Sequence, residues 1–206
     1  MAVNDFQQPV TVQNLRMVLN PDLVRIFFVF FQSGAGIRIR TGINVREFLC
    51  GDLGLSPEYV ESRVQTVFLD GKAVDNVDSA VVRDGSTLAL SAALPGLLGA
   101  TLRRGSYYAA MRSEISYRKD TESLSSSEGT VRLKLFNLLT DEIGPLILNK
   151  GILINGQEIT EFFKRHHDRF RSGCKRAFLN GREIDVAALA QRDWGESSVF
   201  LQIQTG

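Results

Sequence analysis

Cysteine is scarce in this sequence, an excess of charge of either sign is missing, and no long apolar run occurs. Only 2 cysteines stand among 206 residues, so Cys50 and Cys174 cannot supply the disulfide frame of a small secreted scaffold, and both are expected as free thiols in a reducing compartment. The formal net charge is +1, which gives no overall attraction to a phosphate backbone or an anionic membrane, and nucleic acid is not expected as a partner. The greasiest run, residues 24–31, is broken by Arg25 and falls far short of the roughly 20 apolar residues that a membrane-spanning helix needs; it is expected as a buried strand. The opening MAVNDFQQPV lacks the basic and apolar regions of a secretory signal, so the expected location is the cytoplasm, with no membrane partner. Carboxylate pairs, a nucleophile elbow and a phosphate-cradling glycine loop are also missing, so no catalytic residue and no cofactor are expected. What remains is an ordinary globular composition, 44% hydrophobic and 23% charged, long enough for one large domain or two small ones.

The chain resembles itself. Residues 67–75, VFLDGKAVD, read like residues 177–185, AFLNGREID: a short apolar strand, an Asx-Gly turn, a basic residue and a second apolar position. Asp-Gly and Asn-Gly favour tight hairpin turns because both residues tolerate positive φ. The surroundings recur in the same order. Residues 24–30 (VRIFFVF) correspond to 131–137 (VRLKLFN) as candidate first strands, and in the second Leu133 and Leu135 point one way while Arg132 and Lys134 point the other. Residues 45–49 (VREFL) correspond to 159–163 (ITEFF), with apolar side chains at helical spacing. Asn44 is placed to cap the first of these helices, with Glu47 three residues later to reach back, and Gly51 to end it. The second is expected to run through Phe170 to a left-handed terminator at Gly173, its start delayed to about Thr160 by a strand and Asn-Gly turn over residues 152–159. Residues 86–91 (STLALS) and 198–203 (SVFLQI) are alternating closing strands.

Each unit therefore reads as hairpin, helix, strand and turn, closing strand, with one helix packed across one small mixed sheet. The fold class is α+β, and the expected organisation is an N-terminal extension over 1–22, a first domain over 23–96, a connector over 97–129 and a second domain over 130–206. In the extension Val12, Leu15, Val18 and Leu19 lie at helical spacing. Phe68 and Phe178, in the repeated strand, are expected in the two cores.

The first copy, at Val45 to Cys50 in the helix, Leu53-Gly-Leu55 after it, the strand and turn over 67–74 and RDGSTLAL over 83–90, resembles the β-grasp sulfur carriers of thiamin and molybdopterin biosynthesis. These are ubiquitin-like, so the resemblance implies a tandem duplicated β-grasp with a second, divergent copy. In the family a free terminal Gly-Gly is adenylated and converted to a thiocarboxylate. Here Leu94-Pro95-Gly96 stands at that place, has one glycine and continues into Leu97, and the last residues, Gln204-Thr205-Gly206, also end on one glycine. The fold carries over and the carrier activity does not.

The candidate partner-binding residues are Leu94, Pro95 and Gly96 together with Arg103, Arg104, Tyr107 and Tyr108, where a basic pair precedes two aromatic rings with polar tips. His166, His167 and Cys174 are chemically suited to zinc, but adjacent helical residues point about 100° apart and do not chelate one ion, so no metal is expected. Cys50 lacks a neighbouring base and is expected as a packed thiol. Trp194 is expected either to cover the edge of a small core or to anchor an interface. The function these features imply is a non-enzymatic binding or assembly module that takes a protein partner and leaves room for a homo-oligomer. A degenerate or proteolytically processed carrier acting with an adenylating enzyme is the alternative, and a metal-dependent enzyme a weaker third.

Overall fold

A computed structural model describes residues 12–109, 112, 116–117 and 127–206. The first strand is β1, Val12–Leu19, with Leu15, Met17 and Leu19 buried. This corrects the helical spacing expected over the same residues: the period-2 set outweighs it because strands pair with β1 on both sides. A 3-10 helix, Pro21–Phe28, then runs into α1, Val29–Ser33. Here too the expected strand is corrected. Phe27, Phe28, Phe30 and Phe31 are spaced i, i+1, i+3 and i+4, one helical face, and the rings of Phe27 and Phe30, like those of Phe28 and Phe31, lie 6.3 Å apart.

Strands β2 (Ala35–Arg40) and β3 (Ile43–Asn44) lead into α2 (Val45–Glu47), which continues through a π-helical turn over Phe48–Asp52. The capping box is formed as the spacing predicts: Glu47 N–H donates to Asn44 Oδ1 at 2.8 Å, and Asn44 N–H donates to Glu47 Oε2 at 3.0 Å. Helix α3 (Pro57–Ser62) precedes β4 (Thr66–Leu69), β5 (Lys72–Ala73), β6 (Val81–Val82) and β7 (Thr87–Ser91), and α4 (Gly96–Leu102) follows. The second half holds β8 (Glu128–Phe136), α5 (Leu138–Lys150), β9 (Ile152–Asn155), α6 (Gly156–Gly173), β10 (Cys174–Leu179), β11 (Arg182–Ile184), α7 (Val186–Gln191) and β12 (Ser198–Thr205).

At the start of α6 the expected Asn-Gly turn is replaced by a cap, in which Asn155 Oδ1 accepts from Gln157 N–H at 2.8 Å. A Cβ on Gly156 would lie 2.6–2.7 Å from the carbonyl oxygens of Gly195, Ser197 and Trp194, so only glycine fits. At the other end Gly173 is not left-handed; its missing Cβ instead makes room for Leu23, whose Cδ2 would be 3.0 Å away.

The chain forms two compact units, a terminal unit of residues up to 24 with 153–206, and a central unit of residues 25–152. The division therefore differs from the expected 23–96 and 130–206. β1, expected in an N-terminal extension, lies inside the terminal unit, and β8, expected to open a second domain, lies inside the central one. Much of the expected connector is folded as well: α4 is helical, and Arg112, 6% exposed, donates to Asp75 Oδ1 and to the Thr101 carbonyl, both at 2.6 Å. Residues 118–126 and 1–11 lie outside the described residues.

Each unit is a mixed α+β structure. The central sheet has the order β2-β8-β7-β4-β5, with β7 and β8 parallel and the other neighbours antiparallel. The terminal sheet runs β11-β10-β1-β12-β9, with β1 and β12 parallel, and with β10 antiparallel to both β1 and β11. In both, an edge hairpin is followed by a parallel central pair. The Asx-Gly turns close those edge hairpins with φ of 50° and 76° at Asp70 and Gly71, and 48° and 81° at Asn180 and Gly181. Inward residues of the central sheet, Val67, Leu69, Leu88, Leu90, Leu133 and Leu135, are at most 1% exposed, and Val45, Phe48 and Leu49 of the α2 segment are fully buried. Among the described residues, no helix is long and apolar enough to cross a membrane.

Candidate functional site

The alternation of β4, β7 and β8 sends Thr66, Phe68, Ala89, Ser91, Lys134 and Phe136 to the opposite face from those leucines and valines. Register brings them together: Thr66 is opposite Ser91, Phe68 opposite Ala89, Ala89 beside Lys134 and Ser91 beside Phe136. Of these, Thr66, Phe68, Ala89, Ser91 and Phe136, with Leu94 from the segment after β7, line a cavity of about 210 Å³ whose walls are mainly apolar. Phe136 stands at its rim, 39% exposed. Next to it Asn137 reverses the chain into α5 with φ at +55°, and its Nδ2 donates to Ser91 Oγ at 2.9 Å. Thr66 is 2% exposed, and its Oγ1 has no hydrogen-bond partner among the described residues. Leaving such a group unpaired costs about 1–3 kcal/mol.

Two cations flank the cavity along β8. Lys134 pairs with Ala89 of the cavity wall, and Arg132 pairs with Thr87 one step further along β7. Their aliphatic stems lie over Gly34, where a Cβ would sit 2.5 Å from Arg132 Cγ and 3.3 Å from Lys134 Cε. Gly34 also has φ at +111°, so two constraints hold glycine there and let the stems lie flat. Arg38 and Arg40 extend the same outward face along β2, with Glu128 opposite Arg40.

The expected partner-binding residues have separate fates. Leu94 lines the cavity. Pro95, at φ −74° and ψ 160°, and Gly96, at φ +75°, turn the chain into α4, so this segment is not a free tail. A Cβ on Gly99 would fall 2.0 Å from the Leu94 carbonyl oxygen, which shows how closely α4 folds back on that turn. Arg104 is spent inside the unit: Nε donates to the Val64 carbonyl at 2.9 Å and Nη2 to the Val60 carbonyl at 2.8 Å, closing the open end of α3. Burial pulls its pKa down from the ordinary arginine value. Arg103 is exposed, as are Tyr107 (93%) and Tyr108 (42%), whose rings meet edge to face at 5.5 Å.

Phe68 and Phe178 are half-buried on the outward faces, which corrects their expected place in the cores; their neighbours Val67 and Ala177 are the buried ones. In the terminal unit Phe178 is covered by the guanidinium carbons of Arg16 and Arg176, 4.4 and 4.7 Å from the ring centre, and Glu183 holds Arg176 through two bonds at 2.9 and 3.0 Å. Phe68, the counterpart in the central unit, faces the cavity instead.

The histidines do not converge. His166 rests against Phe162 with ring centres 4.9 Å apart, and burial lowers its pKa, whereas His167 meets the Lys164 carbonyl at 3.1 Å and Asp168 at 3.2 Å. Among the described residues no group of three His, Cys, Asp or Glu side chains could hold a metal ion. The Cys174 thiol is pushed up to about 11 by burial, away from thiolate reactivity. Cys50 is half-buried in the π-helical turn. Trp194 is 1% exposed against Phe163, so it is a core residue and not an interface anchor.

Thr66, Phe136, Asn137 and the two β8 cations were not among the residues expected at a site. One signal for them was present, since an aromatic at position 136 shares the polar face of an otherwise alternating strand with Arg132 and Lys134. No family model, curated protein or solved structure matches this chain.

Proposed function

We propose that this chain is a non-enzymatic binding or assembly protein, built from two β-grasp-like units, that takes a protein partner on the outward face of the central sheet. The strand orders support the β-grasp part. A β-grasp sheet has a parallel pair in its middle and a hairpin at one edge, and each unit has both: β7 and β8 with the hairpin beside β7 in the central unit, β1 and β12 with the hairpin beside β1 in the terminal one. The fold carries no function of its own, so the functional argument rests on the site. The observation that carries it is the apolar cavity with Phe136 at its rim, on a sheet face that also presents Arg132 and Lys134 beside it. Cys50 and Cys174, both free, suit work in the cytoplasm. A carrier role would need a cut after Gly96, where the chain turns into α4.

Site-specific photocrosslinking in native cells tests the proposal with the full-length protein. A benzophenone amino acid in place of Thr87, on the outward face, is expected to give a discrete protein adduct, and the same group in place of Glu58 on α3 is not. Equal adducts at both positions, or none at Thr87, would remove the sheet face as the docking surface. Intact-mass measurement of the native protein addresses the carrier alternative, which predicts a species ending at Gly96.

A further inference from the structure

We infer that the occupant of the cavity is an acidic peptide segment bearing one bulky aromatic side chain, the ring entering between Phe68 and Phe136 and the carboxylates meeting Arg132 and Lys134. This rests on the docking reading above and gives it a chemistry. The cavity, about 210 Å³, is smaller than the roughly 300–1,000 Å³ of sites that enclose whole small-molecule ligands, and it suits one large side chain. Its walls, Phe68, Ala89, Leu94 and Phe136, are apolar. The buried Thr66 hydroxyl has no partner among the described residues, so the ring that fits best also brings a hydrogen-bonding group, as a tyrosine does.

Charge selects the rest of the segment. The outward face carries Arg38, Arg132 and Lys134 against Glu128, with Arg40 paired to Asp52 at 3.8 Å. Asp70, at the hairpin turn, is already engaged with Thr87 N–H at 2.7 Å and Ser86 Oγ at 3.0 Å. A chain with a net charge of only +1 thus concentrates positive charge beside its apolar cavity. The stems of Arg132 and Lys134 pass over Gly34, where no Cβ stands in their way. Single-stranded nucleic acid fits less well, because it stacks on flat aromatic platforms along a basic groove, whereas Phe68 and Phe136 wall a pocket one side chain wide.

The test is titration of the full-length, isotope-labelled protein, followed by NMR, with the blocked peptide Glu-Asp-Tyr-Asp-Glu. Three control probes accompany it: the same peptide with alanine for tyrosine, the same peptide with lysines for its acids, and a short oligothymidylate. The expected result is a set of shifts at Thr66, Ala89, Ser91 and Asn137 with the first peptide. Affinity should weaken at least about tenfold with either peptide control, with Lys134→Glu and with Arg132→Glu, and should fall as salt rises. Thr66→Val, which keeps shape and loses the hydroxyl, guards against a variant that simply misfolds, and it should weaken the tyrosine peptide more than a phenylalanine one. Equal binding of the lysine peptide at these residues would overturn the acidic occupant while leaving the docking face standing. Binding of the oligonucleotide as tight as the peptide, shifts mapped elsewhere, or no binding at millimolar peptide would overturn the inference outright.

Discussion

The two Asx-Gly turns offer the most direct test of the claim that both sheets share one scheme. Asp70 and Asn180 each sit in left-handed backbone, at φ 50° and 48°, and each clasps the strand beside its hairpin by two bonds. Asp70 donates its N–H to the Thr87 carbonyl at 2.9 Å and accepts Thr87 N–H on Oδ1 at 2.7 Å; Asn180 donates to the Asn14 carbonyl and accepts Asn14 N–H, both at 2.8 Å. Replacing either residue by alanine removes the side-chain acceptor, worth about 1 kcal/mol at these exposed sites, and puts a Cβ without a local hydrogen bond into the left-handed region, worth about another 1. Asn180→Ala should therefore cost about 2 kcal/mol and Asp70→Ala, which also loses the bond from Ser86 Oγ, about 3, and the glycine variants, which relieve the backbone term, about 1 less in each case. Urea titration measures this, with the buried Trp194, the one tryptophan of the chain, reporting on the terminal unit and far-ultraviolet circular dichroism on the whole. If alanine and glycine proved equally costly at either turn, left-handed backbone would not be the constraint, and the equivalence of the two turns would fail with it.

Two further outcomes follow from the placement of single elements. Deleting residues 1–20 removes β1, which pairs with β10 on one side and β12 on the other, so hydrogen exchange should lose protection over 199–203 while β8, over 131–135, keeps it; retained protection in β12 would deny β1 its central place. Phe178→Ala should cost only about 1 kcal/mol, because an outward ring under two guanidiniums loses little burial, whereas Trp194→Ala should cost about 3–5 by chemical denaturation, and a reversed ranking would contradict the assigned faces.

Local features were legible from the residues because local physics decides them. The capping box at Asn44 and Glu47, the hairpins at Asp70-Gly71 and Asn180-Gly181 and the alternation of β8 all depend on a few neighbouring side chains. The partners of each strand were not legible. β1 and β12 both alternate, and nothing in either says which will lie beside β10; that choice belongs to contacts far apart in the chain. The same slot beside the edge hairpin is filled by β7 in the central unit and by β1 in the terminal one. A repeat read in chain order therefore finds the two edge hairpins and misses the long-range pairing that groups the strands into units. Asn155-Gly156 shows the limit within a single dipeptide: it matches Asn180-Gly181 letter for letter, but a helical run follows it and three carbonyl oxygens crowd Gly156, so the asparagine caps a helix and makes no hairpin.

The site was less legible than the fold for a related reason. A strand as short as TVFL has apolar residues at three of its four positions, so either face could be read as the core, and only pairing with β7 sends Val67 and Leu69 inward and leaves Phe68 out. Arg103 and Arg104 looked alike as a basic surface pair. One is solvated; the other has a planar fork that fits the unpaired carbonyls at the end of α3, and its charge serves the fold. The cations that are left for a partner come instead from β8, whose polar face appeared in the sequence as the solvent side of an ordinary strand. What turns that face from solvent side to candidate surface is Phe136, because an exposed aromatic beside two cations is not needed to keep the strand folded, and a residue the fold does not need is where a binding function can be sought.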